Sequence, residues 1–305
     1  MENIILTLLS IPKIGRKSVD YFIKYMQEKP TNENDIVDIF VELKNNNKKI
    51  NIPSVEEVKI AYEKAYEIVR VSKKQNIETI DILNPNFPKR LKIIENNPQV
   101  LFYKGNYNAV INDYSIAIIG SRDASLENQK KSYEMANYFA SENYSIVSGL
   151  AIGCDTYAHK GCLDAKGMTV AVLSSGLDSI YPIQNRELAE NIIKNNGCLL
   201  SEYPIGCASF KNNFIERDRL ESGLSLGTIV VEANIKSGTM HTANFTLEQE
   251  RALICFDIDK SGNKSLLENK NVLGINGKED ISKIKIKLEE VKDKCSKCRR
   301  SENSL

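Results

Sequence analysis

The stretch Ile116-Ala117-Ile118-Ile119-Gly120-Ser121-Arg122 places four apolar residues directly before a glycine, a hydroxyl and a guanidinium. A short apolar run of this kind is typical of a strand that is covered on both faces. Free backbone N–H groups and a forked cation at the end of a strand suit an anion. The stretch therefore predicts a buried strand that ends in a candidate phosphate-binding loop.

Further apolar runs of the same type follow along the chain, and polar segments long enough for helices separate most of them. Strands that alternate with helices form mostly parallel, doubly wound sheets, whose ligands bind beyond the carboxyl ends of the strands. The sequence therefore predicts an α/β fold with its functional loops at that edge. The further runs are Ser145–Val147, Thr169–Leu173, Cys198–Leu200, Thr228–Val231 and Ala252–Phe256.

The loops after these strands are rich in glycine, hydroxyls and charge. In Ser148–Asp155 two glycines flank small residues, which permits close approach of a ligand, and we expect Asp155 to cap a helix. Phe214–Leu220 brings two arginines to a predicted helix start. Ser237–Ala243 is typical of an anion nest at a helix N-terminus. Each loop alone is equally well explained by turn glycines and capping serines.

Catalytic and metal-binding patterns are not found in the sequence. His159 and His241 have no Ser or Cys nucleophile paired with them by spacing. Cys295 and Cys298 have the spacing of a zinc knuckle, but no second Cys pair or nearby His completes a four-ligand site. The sequence therefore predicts a protein that is not an enzyme, with no cofactor and no metal.

Composition and charge limit the choice of partners. The 305 residues are 42% hydrophobic and 27% charged, and no apolar run approaches the roughly 20 residues that span a bilayer. Seven scattered cysteines and an acidic N-terminus predict a reduced, cytoplasmic protein with no membrane partner. Formal net charge is +1, yet Gly120–Asp257 carries 12 basic and 17 acidic residues. A nucleic-acid site there must be a local cluster of cations and backbone donors.

Three regions are predicted along the chain. Residues 1–75 have apolar residues at helical spacing and are predicted to form a small helical domain. Residues 76–277 are predicted to form the α/β domain. Residues 278–305 are predicted to form a charged amphipathic helix and a polar tail.

The order of the loop motifs resembles the DprA/Smf (DNA-processing protein A) family over about residues 76 to 275. The family pattern includes Gly-Ser-Arg, Ser-Gly-Leu-Ala-Arg-Gly-Ile-Asp, Ser-Glu-Tyr-Pro, Phe-x-x-Arg-Asn-Arg-Ile and Ser-Gly-Ser-x-x-Thr-Ala. So many motifs in one order make a chance agreement improbable. The corresponding segments here are Gly120–Arg122, Ser148–Asp155, Gly176–Asp178, Ser201–Pro204, Phe214–Leu220 and Ser237–Ala243.

This resemblance implies an extended Rossmann-like domain preceded by a helix-hairpin-helix or SAM-like module. It also implies binding and protection of single-stranded DNA, homodimerisation, and delivery of DNA to a RecA-type recombinase in natural transformation. Backbone phosphates would be held without reading the base sequence. The residues carried over as DNA- or phosphate-binding are Gly120, Ser121, Arg122, Ser148, Gly149, Arg217, Arg219, Ser237, Gly238 and Thr239.

The chain departs from the family pattern at several positions. Ile152 stands in place of an arginine and Asp218 in place of an asparagine, changes that should weaken phosphate binding. Lys13 stands where a glycine is common in the helical hairpin. Two alternatives to DNA binding therefore stay open: a Rossmann-like protein that binds or hydrolyses a nucleotide-derived small molecule, and an adaptor that has lost DNA binding.

Overall fold

A computed structural model of the chain describes residues 2–46 and 48–302, with side chains up to residue 295. The described residues divide into two compact units. Unit 1 takes those up to Phe87 together with Asn96–Leu101, and unit 2 takes Pro88–Glu95 and everything after Leu101. The domain boundaries that the sequence indicates near residues 76 and 277 stay predictions.

Unit 1 is mainly helical, as its sequence pattern predicts. Asn32 and Ser54 each form a capping box at the start of a helix, which satisfies backbone N–H groups there. Phe22 and Phe40 pack in its core with ring centroids 5.3 Å apart. Its elements are α1 (Ile4–Ser10), α2 (Arg16–Tyr25), α3 (Glu33–Asn45), α4 (Val55–Lys74) and β1 (Glu78–Asp81).

The turn between α1 and α2 explains why a glycine suits the position of Lys13. The backbone φ angle of Lys13 is 63°, in the left-handed region where glycine is least strained. The side chain of Asn51 donates a hydrogen bond to the carbonyl oxygen of Lys13, at 3.2 Å. Lys13 therefore adopts the backbone conformation that a glycine favours at this turn.

Unit 2 is built on a mostly parallel sheet, which confirms the predicted fold class. Its strand order is β2-β6-β5-β4-β3-β7-β8-β9. Among these strands only the β2–β6 pair is antiparallel in the described ladders. The strands are β2 (Val100–Gly105), β3 (Ser115–Ile119), β4 (Ser145–Ser148), β5 (Thr169–Leu173), β6 (Cys198–Ser201), β7 (Gly227–Val230), β8 (Ala252–Phe256) and β9 (Val272–Ile275).

Both faces of this sheet are covered, because alternate residues of each strand point to opposite sides. The helices of unit 2 are α5 (Lys89–Lys92), α6 (Asn108–Ile111), α7 (Leu126–Ser141), α8 (Cys154–Asp164), α9 (Arg186–Lys194), α10 (Lys211–Leu224), α11 (Thr239–Glu248), α12 (Ser261–Leu267) and α13 (Ile281–Glu302). Ile118 and Ile254 pack with α7, α8 and α13, whereas Ile119 and Leu253 pack with α11 and α12.

The last helix is longer than its sequence pattern predicts. It runs to Glu302, through the segment expected to be a polar tail. Ile284 and Leu288 are fully buried in the core of unit 2. Across residues 2–46 and 48–302, no helix is long and apolar enough to cross a membrane.

Strand order fixes where a ligand can enter. The order in which the chain adds strands reverses at β3, which pairs in parallel with β4 on one side and with β7 on the other. At such a switch point the loops after neighbouring strands turn to opposite faces and leave a crevice. The loops that begin at Gly120 and Val231 flank this crevice.

Candidate functional site

Two cavities open at the carboxyl edge of the sheet and share one wall. The first, of about 420 Å³, has a largely apolar and aromatic lining, and the second, of about 370 Å³, is lined by carboxylates and hydroxyls. We call them the aromatic cavity and the acidic cavity. Arg122, Phe214 and Arg217 line both. The aromatic cavity also contains Ile152, Tyr181 and Ile183, and the acidic cavity also contains Asp155, Asp218 and Glu221.

Arg122 is the exposed cation of the shared wall. Its guanidinium carbon lies 5.6 Å from the centroid of the Phe214 ring, within the range of a cation–π contact. Phe214 in turn meets the ring of Tyr181 edge to face, with centroids 5.9 Å apart. Tyr181 itself is 54% exposed and follows β5 in the loop that leads to α9. A cation and aromatic faces therefore lie side by side at the mouths of the cavities.

The loop after β3 is held close to α8. A Cβ atom added to Gly120 would lie 2.5 Å from Cys154 Sγ, so only glycine fits here. The hydroxyl of Ser121 accepts a hydrogen bond from the backbone N–H of Asp123, at 3.1 Å. Both predicted residues line the acidic cavity, and their geometry presents the Arg122 side chain to solvent.

The loop after β4 is organised by Asp155, but not by helix capping as the sequence suggested. The helix α8 begins at Cys154 with Gly153 before it, so Asp155 is the second residue of the helix. Its carboxylate accepts hydrogen bonds from the backbone N–H groups of Gly149 and Ala151, both at 3.2 Å. Asp155 therefore fixes the loop backbone and places a buried carboxylate in the acidic cavity.

Ser148 and Gly149 have different surroundings. Ser148 is fully buried and its hydroxyl donates to the carbonyl oxygen of Ile118, at 2.7 Å, so it lines neither cavity. Gly149 lines the aromatic cavity, and an added Cβ there would lie 2.2 Å from Arg217 Nη1. The glycine is thus required by the packing of a buried arginine.

Arg217 is a buried cation that joins two strand ends to a helix. It lies in the middle of α10, and not at a helix start as predicted, because α10 begins at Lys211. Its Nη1 atom donates to the carbonyl oxygens of Gly149 and Val172, both at 2.7 Å. Only 7% of the residue is exposed. Most of its hydrogen-bonding capacity in the described structure is directed into the protein.

The carboxylates beside Arg217 hold protons more tightly than usual. Arg217 Nε lies 3.1 Å from Asp218 Oδ1 and 3.4 Å from Glu221 Oε1. Burial raises the pKa of Glu221 to about 8 and the pKa of Asp218 to about 6, although the guanidinium opposes both shifts. Burial also raises the pKa of Asp155, again against the attraction of Arg217.

Arg219, the third predicted cation, lies away from both cavities. It is 3% exposed, and its guanidinium forms ion pairs with Glu202 and with Glu216, the latter at 3.2 Å. A buried guanidinium met by two carboxylates stabilises the local structure only as a complete set. Its assignment as a DNA contact stays a prediction, and the described contacts are those of an internal ion-pair network.

The loop after β7 forms the far wall of the acidic cavity. The helix α11 begins at Thr239 with Gly238 before it, at this wall, and the backbone N–H groups of Met240 and His241 donate to the carbonyl oxygens of Ser237 and Gly238. The Oγ atom of Ser237 is buried and has no hydrogen-bond partner among the described residues. This wall therefore offers a hydroxyl donor that the described protein contacts do not use up.

Other titratable groups of this domain have structural partners. His159 is fully buried, contacts the hydroxyl of Thr169 at 2.7 Å, and its pKa is lowered to about 3 by burial. Glu232 is buried and is bound by Lys260 and Asn128, both at 2.7 Å. In the part of the chain that the structure describes, no group of three or more His, Cys, Asp or Glu residues could hold a metal ion. The side chain of Cys298 lies outside the described residues.

Sequence reasoning missed the acidic side of the site. It noted Asp218 as a departure but gave no role to Glu221, although Arg217 and Glu221 have the i, i+4 spacing of a helical ion pair. It also gave no role to Tyr181 or Ile183, which are 54% and 66% exposed beside Phe214. The available signal for the aromatic cavity in the sequence was the pair Tyr181-Pro182, which follows the third predicted strand.

Comparisons with known proteins identify relatives of this chain. A family model described as DNA recombination-mediator protein A matches residues 78–284. The DNA processing protein DprA of Bacillus subtilis is 36% identical over 195 residues, which cover 64% of this chain and 65% of that protein. The match thus spans just under two thirds of this relative's length.

Two solved structures have the same fold. The X-ray structure of DprA from Streptococcus pneumoniae aligns with a TM-score of 0.64 at 27% identity, covering 88% of this chain and 97% of that one. A structure of the Helicobacter pylori DNA processing protein A, which concerns its single-stranded DNA binding mode, aligns with a TM-score of 0.63 at 28% identity. It covers 69% of this chain and 96% of that one. This chain therefore belongs to the DNA recombination-mediator protein A family, known as DprA/Smf.

Proposed function

We propose that this protein binds single-stranded DNA at the carboxyl edge of its sheet, and that it holds the strand without breaking covalent bonds. The observation that carries this proposal is the exposed guanidinium of Arg122 over the ring of Phe214, on the wall shared by both cavities. Proteins that bind single strands without sequence preference combine cations for the phosphates with aromatic surfaces for the bases. Family membership supports the same ligand.

In this proposal the aromatic cavity takes bases. Tyr181 and Ile183 offer exposed apolar surface, and Phe214 closes the inner end. Base stacking on such surfaces tolerates any base, since every base has a π face. A flexible single strand can present its bases there, whereas the stacked bases of a duplex cannot.

Phosphates would lie along the rim, between Arg122 and the start of α11. Backbone N–H groups at a helix N-terminus and an exposed guanidinium both favour an anion. Gly238 leaves open space in front of that helix, with no atom within 4 Å of an added Cβ. The central region is acidic overall, so this small cluster has to supply the attraction.

Arg217 and Arg219 would act as positioning residues. Arg217 donates to two backbone carbonyl oxygens and Arg219 forms ion pairs with two carboxylates, so the loss of either arginine would remove contacts inside the protein. Their role would be to hold the ends of β4, β5 and β6 in register with α10. Of the three predicted arginines, only Arg122 would then contact the phosphates directly, and a binding experiment tests this.

A labelled oligothymidylate titrated with protein at several salt concentrations tests the proposal by fluorescence anisotropy. Wild type should bind with an affinity that falls with salt, and Arg122→Ala should weaken binding and reduce the salt slope by about 0.7. Lys194→Ala is the matched control, because this exposed cation ends α9 at the opposite edge of the sheet. Equal losses in both variants would mean that general charge, and not the site, drives binding.

Failure of well-folded wild type to bind at low salt would overturn the proposal. It would leave the adaptor or small-molecule alternatives, and release of a free base from a nucleotide would distinguish the latter. Delivery of the strand to a RecA-type recombinase and homodimerisation are further proposals from family resemblance. Recombinase filament formation on the bound strand and sedimentation of the full chain would test them.

A further inference from the structure

The acidic cavity has more buried negative charge than positive charge when its groups are ionised. Asp155, Asp218 and Glu221 all line it and are all buried, and Glu221 is only 2% exposed. Arg217 is the buried cation beside them, with Nε 3.1 Å from Asp218 and 3.4 Å from Glu221. Three carboxylates thus face one guanidinium, and the excess charge has the wrong sign for a phosphate.

Other features of the same cavity suit an anion. The helix α11 begins at its wall at Thr239, and Arg122 lies on its rim. Two buried atoms that belong to its lining residues, Ser237 Oγ and Glu221 Oε1, have no hydrogen-bond partner among the described residues. Such atoms are the ones that a ligand, or a proton on the carboxyl, can satisfy. Donors for an anion and carboxylates that repel it therefore meet in one cavity.

A metal ion or a proton could remove this conflict. A bound metal needs several ligands converging on one point, and none of the described residues form a group of three or more that could do so. A proton needs only one buried carboxyl, and burial favours its neutral form. The geometry therefore favours protonation as the way this cavity accepts a phosphate.

We infer that strand binding is coupled to proton uptake by Asp218 and Glu221, so that single-stranded DNA binds more tightly in mildly acidic than in alkaline solution. This inference rests on the proposed function, because it assigns a regulation to the same site. A phosphate at the cavity adds negative charge, which favours the neutral form of the carboxyls below it. By linkage, the protonated site must then bind the phosphate more tightly.

The direction of the effect follows from the free protein. The pKa of Asp218 is raised to about 6 and the pKa of Glu221 to about 8 by burial. Strand binding raises both further, so protons are taken up on binding between about pH 5.5 and 8.5. Affinity should increase as the pH falls through this range and level off once both carboxyls are neutral.

The effects of neighbouring charged groups have to be distinguished from those of Asp218 and Glu221. Asp155 shares the burial of the cluster, but its two backbone hydrogen bonds make it unsuitable for substitution. His241 is exposed on α11 and acts electrostatically on Asp218, so it needs a control variant of its own. The charged groups that face the pair are Arg217 on α10, Asp155 on α8, His241 on α11, and Arg122 and Asp123 after β3.

The test is the dissociation constant of labelled oligothymidylate from the full chain at constant ionic strength, from about pH 5.5 to 8.5. Thymine keeps its charge throughout, so only protein groups titrate. Wild type should bind about tenfold more tightly at the acidic end, as net uptake of one proton over one pH unit implies. The double variant Asp218→Asn, Glu221→Gln should bind tightly at every pH, and His241→Gln should keep the slope of wild type.

A wild-type affinity that is constant with pH, or a slope lost only in His241→Gln, would overturn the inference and leave the proposed function standing. Absence of strand binding at every pH would instead overturn the proposed function. Mg²⁺ and a chelator are added in parallel, since a slope that appears only with Mg²⁺ would assign the effect to a metal. Urea unfolding of each variant checks folding, and the single variants Asp218→Asn and Glu221→Gln replace the double one if it is unstable.

Discussion

The two cavities share a wall but differ in the surroundings of their polar groups. In the aromatic cavity the hydroxyl of Ser174 is hydrogen-bonded to that of Ser209 at 3.0 Å, and apolar surface faces solvent. In the acidic cavity the Oγ atom of Ser237 has no hydrogen-bond partner among the described residues, and the carboxylates are buried. Exposed apolar surface accepts any base, whereas buried charge distinguishes ligands by their charge state. The aromatic cavity is therefore suited to holding bases, and the acidic cavity is suited to distinguishing ligands by their charge.

Two arginines of the shared wall differ in a similar way. Arg122 is exposed over Phe214, whereas Arg217 is bonded to two carbonyls and lies between carboxylates. An exposed cation is available to a ligand, and a buried one is committed to the fold. The same residue type, carried over from the same resemblance, thus has two different expected functions.

The largest predicted effect is the loss of stability in Arg217→Ala. It removes the only guanidinium within 3.5 Å of Asp218 and Glu221 among the described contacts and the side-chain donor to two carbonyl oxygens. We expect the free energy of unfolding to fall by about 3 to 5 kcal/mol, measured by urea denaturation. Arg122→Ala is the matched control and should change it by no more than about 0.5 kcal/mol.

Equal stability losses in these two variants would contradict the contrast between the arginines. A stable Arg217→Ala that binds the strand poorly would mean that Arg217 contacts the ligand directly. Both results can be read from the same preparations, because unfolding and strand binding are measured separately.

The second prediction concerns the pH dependence of folding. The pKa of Glu221 is raised by burial to about 8, above the value of about 4.3 in an unfolded chain. The folded protein therefore binds the proton more tightly, and this contribution to stability is lost as the pH rises from about 4.3 to about 8. Urea unfolding at several pH values should show Glu221→Gln falling less steeply with pH than wild type. Parallel curves would contradict the assignment of a raised pKa to this carboxyl.

Local patterns predicted the sheet but not the inner contacts of its loops. Buried parallel strands are continuous apolar runs, so β3, β5 and β8 could be read directly from the sequence. Strand β2 could not, because its burial changes along its length and it pairs antiparallel with β6.

The site was predicted in outline for a similar reason. Its loops follow the carboxyl ends of parallel strands, and the topology of the sheet brings these ends together regardless of which side chains the loops contain. Which side chains face a cavity depends on where each helix begins. Helix α10 begins at Lys211, before the segment Phe214–Leu220 in which the sequence predicted a helix start, so Arg217 and Arg219 lie inside the helix and are buried. Ser148 is likewise buried because its strand continues one residue farther than predicted.

The third prediction tests the aromatic cavity. Tyr181→Ala removes an exposed ring, and we expect it to weaken strand binding by about 1 to 3 kcal/mol through lost stacking. Tyr181→Phe keeps the ring and should bind like wild type. Anisotropy titration at a single pH measures both. If the two variants bind equally well, bases do not stack on this residue, and the assignment of the aromatic cavity is wrong.

The smallest predicted effect compares one hydroxyl from each cavity. Ser174 is hydrogen-bonded to Ser209, so Ser174→Ala should lower the free energy of unfolding by about 1 kcal/mol. Ser237 Oγ has no partner among the described residues, so Ser237→Ala should leave stability unchanged or slightly higher. If that hydroxyl donates to a phosphate, the same change should weaken strand binding by about 1 kcal/mol. A Ser237→Ala variant that is destabilised and binds normally would show that its hydroxyl serves the fold, which would make the acidic cavity resemble its neighbour.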